Sequence, residues 1–307
     1  MRMGSQSARL RAVGAVVLAC LAAALLGLPA GAGAAARLHA GATGKGEAAR
    51  TIGHWTAARM RATAPLDGAG TGPLARTSFA QVTEPTVPPF SYNGRLFIRQ
   101  GNREGFCSAT VIDTPSRRLV LTAGHCINSG PQPPAGHSVW SSLLEFVPAY
   151  SGGTAPFGAF IAHRASVFAL RQWVEFGNPN FDIGALVVSP NAEGVNVADA
   201  VGGGATIATD LSRRQEFQTF GYPGATRWMQ DCNSPYVGDD NLTYGIPGPP
   251  TIAIRCHWLP GASGGGWLID EGATIDGLTS YGKQGDSRHT FSPYFSSRNV
   301  GRLTAGL

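Results

Sequence analysis

Gly261-Ala262-Ser263-Gly264-Gly265 is the stretch on which the reading of this chain turns. Glycines on both sides let the backbone turn sharply around the serine. A serine hydroxyl is a poor nucleophile near neutral pH until a base takes its proton. Two upstream stretches supply what it needs. Leu121-Thr122-Ala123-Gly124-His125-Cys126 brings His125 in just after an apolar strand-length run, and Phe181-Asp182-Ile183-Gly184-Ala185-Leu186 sets Asp182 at the head of another. Ser263 then reads as nucleophile, His125 as general base and Asp182 as the carboxylate that fixes the imidazole tautomer. The same turn can aim the N–H groups of Gly261 and Ser263 at one point, an oxyanion hole for a tetrahedral intermediate.

Around these motifs, short apolar runs separated by Gly, Pro, Asn and Ser recur at 95–99, 108–112, 119–122, 183–188, 216–220, 251–255, 266–269 and 275–280. They are strand-length and rich in β-branched residues, and helical periodicity is scarce before a short terminal helix expected at 299–307. The body therefore reads as all-β. Residues 189–204, with Ser-Pro, Asn-Ala and Gly-Gly-Gly, are the best connection between two halves. His125 and Asp182 precede that connection and Ser263 follows it, so the site is expected in a cleft between barrel one (about 87–190) and barrel two (about 204–307).

The chain opens with Arg2, Arg9 and Arg11, an apolar run and then small residues through Ala34-Ala35-Ala36. Residues 1–36 read as a secretory signal cleaved near Ala36, in preference to a retained anchor or a lipid attachment at Cys20. Residues 37–86 are rich in Ala, Gly and Thr with few large apolar side chains, and read as a pro-segment or disordered leader. Residues 87–307 are the expected peptidase domain, long enough for one two-barrel unit. The whole chain carries +5, yet 87–307 holds 15 Lys and Arg against 16 Asp and Glu, a net −1. Its scattered arginines exclude a nucleic-acid groove.

Four of the five cysteines lie in this body, an even count suited to a secreted chain. Cys107 starts an apolar run and Cys126 follows His125, so one bridge is expected to tie the loop of the base to a strand, with Cys232–Cys256 as the second. Each closes a loop of about 20 to 25 residues, worth about 3 kcal/mol in the chain-entropy picture. No Cys-x-x-Cys or His-x-x-x-His spacing suggests zinc, and no metal or cofactor is expected.

Unrelated folds reach Ser/His/Asp geometry in different chain orders, and His, then Asp, then Ser is the order of the chymotrypsin β-barrels. The pattern Gly-x-Ser-x-Gly also fits a nucleophile elbow. An elbow leads into a helix, however, and Gly264-Gly265-Gly266 is a poor helix start, with His289 the one histidine after Ser263. The segments Cys107-Ser108-Ala109-Thr110-Val111, 121–126, 182–188, Gly221-Tyr222-Pro223-Gly224 and 261–267 resemble the bacterial branch of the trypsin-like serine proteases, near the glutamyl endopeptidases. The likeness runs from about 96 to 303. It implies a chymotrypsin-like all-β fold of two antiparallel six-stranded barrels and a secreted endopeptidase working through an acyl-enzyme. It also implies His125, Asp182 and Ser263 as triad and Gly261 and Ser263 as amide donors. An edge strand at Thr279, Ser280, Tyr281 and Gly282 would pair with substrate backbone.

Two positions depart from that pattern. Ala262 stands where animal trypsin-like enzymes carry the aspartate that receives a freed N-terminal amine, so that activation switch is not available. Thr279 and Ser280 occupy the region where glutamyl endopeptidases carry a specificity histidine. No aspartate lies in 256–262 to form a floor for Arg or Lys, His257 is the one cation there that could reach an acidic side chain, and the preference at the cleaved bond stays open. Expected partners are protein or peptide substrates, with no nucleic acid, no membrane after signal removal, and a monomeric state. An esterase-like serine hydrolase and a catalytically silent protease-fold binding protein are the competing readings.

Overall fold

The computed structural model describes residues 36–68, 79–132, 136–224 and 226–307; the signal reading of the first residues and the middle of the expected leader lie outside them. In chain order the strands are β1 (Arg37–His39), β2 (Ala80–Gln81), β3 (Asn93–Gln100), β4 (Arg103–Ile112), β5 (Leu119–Thr122), β6 (Ser141–Pro148), β7 (Phe160–Leu170), β8 (Gly184–Val188), β9 (Thr206–Ile207), β10 (Glu216–Gly221), β11 (Gln230–Asp239), β12 (Ile252–Ile254), β13 (Gly266–Ile269), β14 (Thr274–Leu278) and β15 (Thr290–Ser292). The helices are short: α1 (Glu47–His54), α2 (Ala57–Ala62), α3 (Gly124–Ile127), α4 (Arg171–Phe176), α5 (Val197–Ala200) and α6 (Val300–Thr304). No helix among the described residues is long and apolar enough to cross a membrane.

The first sheet runs β1-β7-β6-β3-β4-β5-β8, and β8 returns to pair with β7, closing six antiparallel strands into a barrel. The hairpin between β3 and β4 turns through two residues, beginning with Gly101 at φ +60°, the position such a turn gives to glycine. Its ladder sets Leu96 against Cys107 and Phe97 against Phe106. Strand β7 shifts register against β8 between Ala162 and Val167; its first residues also pair with β6 and its last with β1.

The second sheet runs β15-β12-β11-β10-β13-β14-β9, with β2 on β11. It is less regular than the expected second barrel. Its β15 edge meets the segment just beyond β14 through an antiparallel bridge, Tyr281 to Phe291. Phe217, Trp267, Ile252 and Ile254 fill its core. Both expected disulfides are present: Cys107–Cys126 ties β4 to α3, and Cys232–Cys256 joins β11 to the segment after β12. The terminal helix starts where expected, with the Asn299 side chain accepting from Val300 N–H as its cap, but it ends at Thr304, short of 307.

Residues 36–68 bury more surface than their composition suggests. Strand β1 pairs with β7, and α1 and α2 bring Trp55 and Met60 into the main core, with Leu66 following. The Trp55 ring centroid lies 5.6 Å from that of Phe97, on the opposite side of β3 from its neighbours Leu96 and Ile98. This explains why β3 is buried nearly end to end where a half-exposed strand would alternate. Few large apolar side chains suffice because the surface they cover belongs to the barrel; burying each contributes roughly 1.5–3 kcal/mol.

Candidate active site

Asp182 is set by the turn before it. Asn178 caps the single helical turn Pro179–Phe181 by accepting from Asn180 N–H at 2.9 Å, and Asn299 Nδ2 holds Asn180 C=O from the far end of the chain at 3.1 Å. The buried carboxylate that follows accepts three hydrogen bonds. His125 N–H donates to Oδ1 at 2.7 Å, while His125 Nδ1 lies 2.8 Å from Oδ2 and the Ser280 hydroxyl donates to Oδ2 at 2.6 Å. A Cβ on Gly124 would sit 2.8 Å from Oδ1, so the glycine before the histidine makes room for the acid.

His125 lies in α3, one residue before the disulfide, with its carbonyl held by Gln100 Nε2 at 3.1 Å. Its side chain is 20% exposed and flanked by the Trp173 ring, whose Nε1 donates to Asn128 C=O at 2.8 Å. Burial pulls the imidazole pKa down, but the adjacent Asp182 carboxylate, by charge and by hydrogen bond, and then Asp67 outweigh it, so the net shift is upward.

The Ser263 loop joins β12 to β13 within the second sheet and touches the first at β4, where Ser108 pins it. Ser108 N–H donates to Ser263 C=O at 2.8 Å and its hydroxyl donates to Gly261 C=O at 2.9 Å, while Tyr222 N–H donates to that hydroxyl at 2.9 Å. Gly261 takes φ +96°, a conformation that suits glycine alone, and so turns its N–H outward to the cleft. Ser108→Ala removes both side-chain bonds and strands two buried backbone groups. It is expected to cost about 2 kcal/mol and to lower turnover more than substrate affinity, read from thermal melts and steady-state kinetics.

Ser263 Oγ does not bond to His125. It donates to Asp67 Oδ2 at 2.7 Å, and Gly261 N–H donates to Asp67 Oδ1 at 2.8 Å. No sequence motif announced Asp67. The one available signal was that it is the lone acidic residue between Glu47 and Glu84, in a stretch that also carries Arg50, Arg59, Arg61 and Arg76.

A cleft of about 470 Å³ collects these groups: Asp67, His125 and Ser263 line it together with His257, Trp258 and the segment 279–284. Of the expected edge strand, Thr279 C=O accepts from Gly264 N–H at 2.7 Å and Ser280 serves Asp182. Tyr281 stacks on Phe291 with its hydroxyl 2.7 Å from Asp240 Oδ2. Among the described residues, Ser280 C=O and Gly282 N–H have no hydrogen-bond partner. Cys107, His125 and Cys126 are the one cluster within reach of a common metal among the described residues. Both sulfurs are committed to the disulfide and offer no thiolate.

No family model and no curated protein matches the chain. Among solved structures it is similar to the protease Anisep from Arthrobacter nicotinovorans, at 28% identity over 67% of this chain and 90% of that one, TM-score 0.59. It is also similar to the thermostable serine protease AL20 from an extremophilic microorganism, at 25% identity over 70% and 96%, TM-score 0.61. A Glu endopeptidase shares the fold at 16% identity over 74% and 95%, TM-score 0.58. The chain has the chymotrypsin fold and resembles the serine proteases built on it.

Proposed function

We propose that this protein is a secreted serine endopeptidase, made with a signal at 1–36 and a pro-segment within 37–86, that cleaves peptide bonds through an acyl-enzyme. The observation that carries the reading is a carboxylate held jointly by Ser263 Oγ and Gly261 N–H in the cleft where His125, already paired with Asp182, also lies. An anion there occupies the place where a tetrahedral oxyanion would form.

In the mechanism, Ser263 Oγ attacks the scissile carbonyl while His125 Nε2 takes its proton; Asp182, bound to Nδ1, keeps the receiving nitrogen free and stabilises the imidazolium. Gly261 and Ser263 N–H stabilise the oxyanion. His125 then passes its proton to the leaving amine, and water repeats the cycle to release the acid. The unpartnered Ser280 C=O and Gly282 N–H support backbone pairing with an extended substrate. The body then acts as a monomer on protein or peptide substrates.

Incubating the chain, freed of its pro-segment, with casein and with simple esters tests this. The expected result is peptide cleavage abolished by a fluorophosphonate that labels Ser263. Ester hydrolysis without peptide cleavage would replace endopeptidase by esterase, and a folded protein that neither labels nor cleaves would make it a binding protein. Sequencing the cut bonds in a digested peptide library gives the residue preference.

A further inference from the structure

We propose that Asp67 is a built-in inhibitor of the cleft, its carboxylate standing where the substrate's oxyanion would form and drawing the Ser263 hydroxyl away from His125. This rests on the protease reading above and names the regulation of that same site.

The carboxylate does two things at once. By accepting from Gly261 N–H it fills an amide-donor position, and by accepting the Ser263 proton it directs that proton toward the wrong base. Its charge also helps to hold His125 in the protonated form, which cannot act as a base. The arrangement is not a substrate complex. Asp67 offers a side-chain carboxylate, whose carbon shares a full negative charge over two oxygens and carries no amine to leave, so attack by Ser263 leads nowhere.

The approach to this position is fitted to the segment. Residues 64–66 lie along β4 as a short ladder, with Leu66 N–H donating to Phe106 C=O at 3.0 Å and Phe106 N–H to Ala64 C=O at 3.1 Å. Arg103 Nη2 donates to Leu66 C=O, and Arg59 pairs with Glu104 at 3.0 Å. Two glycines of the body make space: a Cβ on Gly105 would sit 2.5 Å from Leu66 Cα, and one on Gly224 would sit 2.5 Å from Pro65 Cγ. Upstream, Trp55 donates through Nε1 to Leu143 C=O at 2.5 Å and anchors the segment on barrel one. Asp67 is thus delivered by a docked stretch of about thirty residues, and its local effective concentration at Ser263 is high without tight binding of its own.

The test uses the full chain and the rate at which diisopropyl fluorophosphate labels Ser263, with thermal melts to establish folding. Wild type should label slowly. Asp67→Ala should label at least about 100-fold faster, the order of effect one oxyanion-hole contact carries. Asp67→Asn, which keeps the shape and loses the charge, should fall between, and Gly105→Ala, which crowds Leu66 while leaving the carboxylate, should also speed labelling. The imidazole NMR titration of His125 should move to lower pH in Asp67→Ala and in Asp67→Asn alike, which confirms the carboxylate's charge at the cleft, while the labelling rate reads the block itself. Fast labelling of wild type and Asp67→Ala at the same rate overturns the inhibitor and leaves the hydrolase reading intact. Folded chains that all refuse the probe overturn the hydrolase reading, and the inhibitor with it.

Discussion

Ser263→Ala, assayed on the body after removal of the pro-segment, is expected to lower peptide hydrolysis by about 10⁶, the scale seen when one member of a cooperating nucleophile–base unit is lost. The loss is this large because the other hydroxyls and the amine lining the cleft are engaged away from His125: Thr279 with Trp267, Ser280 with Asp182, Lys283 with Asp240 and Thr290 with Trp258. Asp182 is engaged by three donors, and the Tyr281 hydroxyl is held by Asp240. What survives is attack by water helped by the N–H groups of Gly261 and residue 263, which alanine retains. Stability should scarcely change in the full chain, since the one side-chain hydrogen bond lost is that to Asp67, and Asp67 keeps Gly261 N–H. Steady-state cleavage of casein beside a thermal melt reads both quantities. Activity retained within tenfold would move the nucleophile elsewhere.

The same local chemistry explains what the sequence disclosed and what it hid. Strands β5 and β13 fall on the runs at 119–122 and 266–269, because every residue in them is buried and apolar side chains leave a continuous signal. Strand β7 gave no such signal: it carries His163, Arg164 and Ser166 amid its apolar residues and bends at a register shift. Strand β11 hid behind Asp231, Asn233 and Pro235, and is held by its ladder to β10 and by the disulfide at Cys232. Glu145 masked β6, since a buried carboxyl inside a strand reads as a surface position; burial pushes its pKa to about 8. In the candidate site, His125, Asp182 and Ser263 were legible because each sits beside a strand-length apolar run or in a glycine-rich turn, and Gly124 leaves room for the Asp182 carboxylate. Ser108 and Asp67 were not, because a hydroxyl that pins a loop and a carboxylate that fills an anion site leave no spacing pattern. Both are defined by contacts across 153 and 196 residues of chain, respectively.

Asp182→Asn is expected to cut turnover of the processed enzyme by about 10⁴, the effect of losing the orienting carboxylate of such a triad. The geometry gives the reason. His125 N–H donates to Oδ1 at 2.7 Å and would keep the amide oxygen there, which places the amide NH₂ where Oδ2 now faces His125 Nδ1 at 2.8 Å. Two N–H donors cannot face each other, so Nδ1 must become the acceptor and the ring proton moves to Nε2, the atom that has to receive the proton of Ser263. The charge change makes a separate prediction. A neutral imidazole is required. Against the pull of burial, the Asp182 carboxylate raises the His125 pKa and delays the neutral form, so the wild-type rate should climb with pH along a limb whose midpoint Asp182 holds at higher pH. With asparagine the midpoint should move to lower pH while the plateau falls. A pH–rate profile therefore separates the two roles of Asp182: the limb reports its charge and the plateau its control of the tautomer. An unchanged plateau would make Asp182 a strand-head carboxylate with no part in the chemistry.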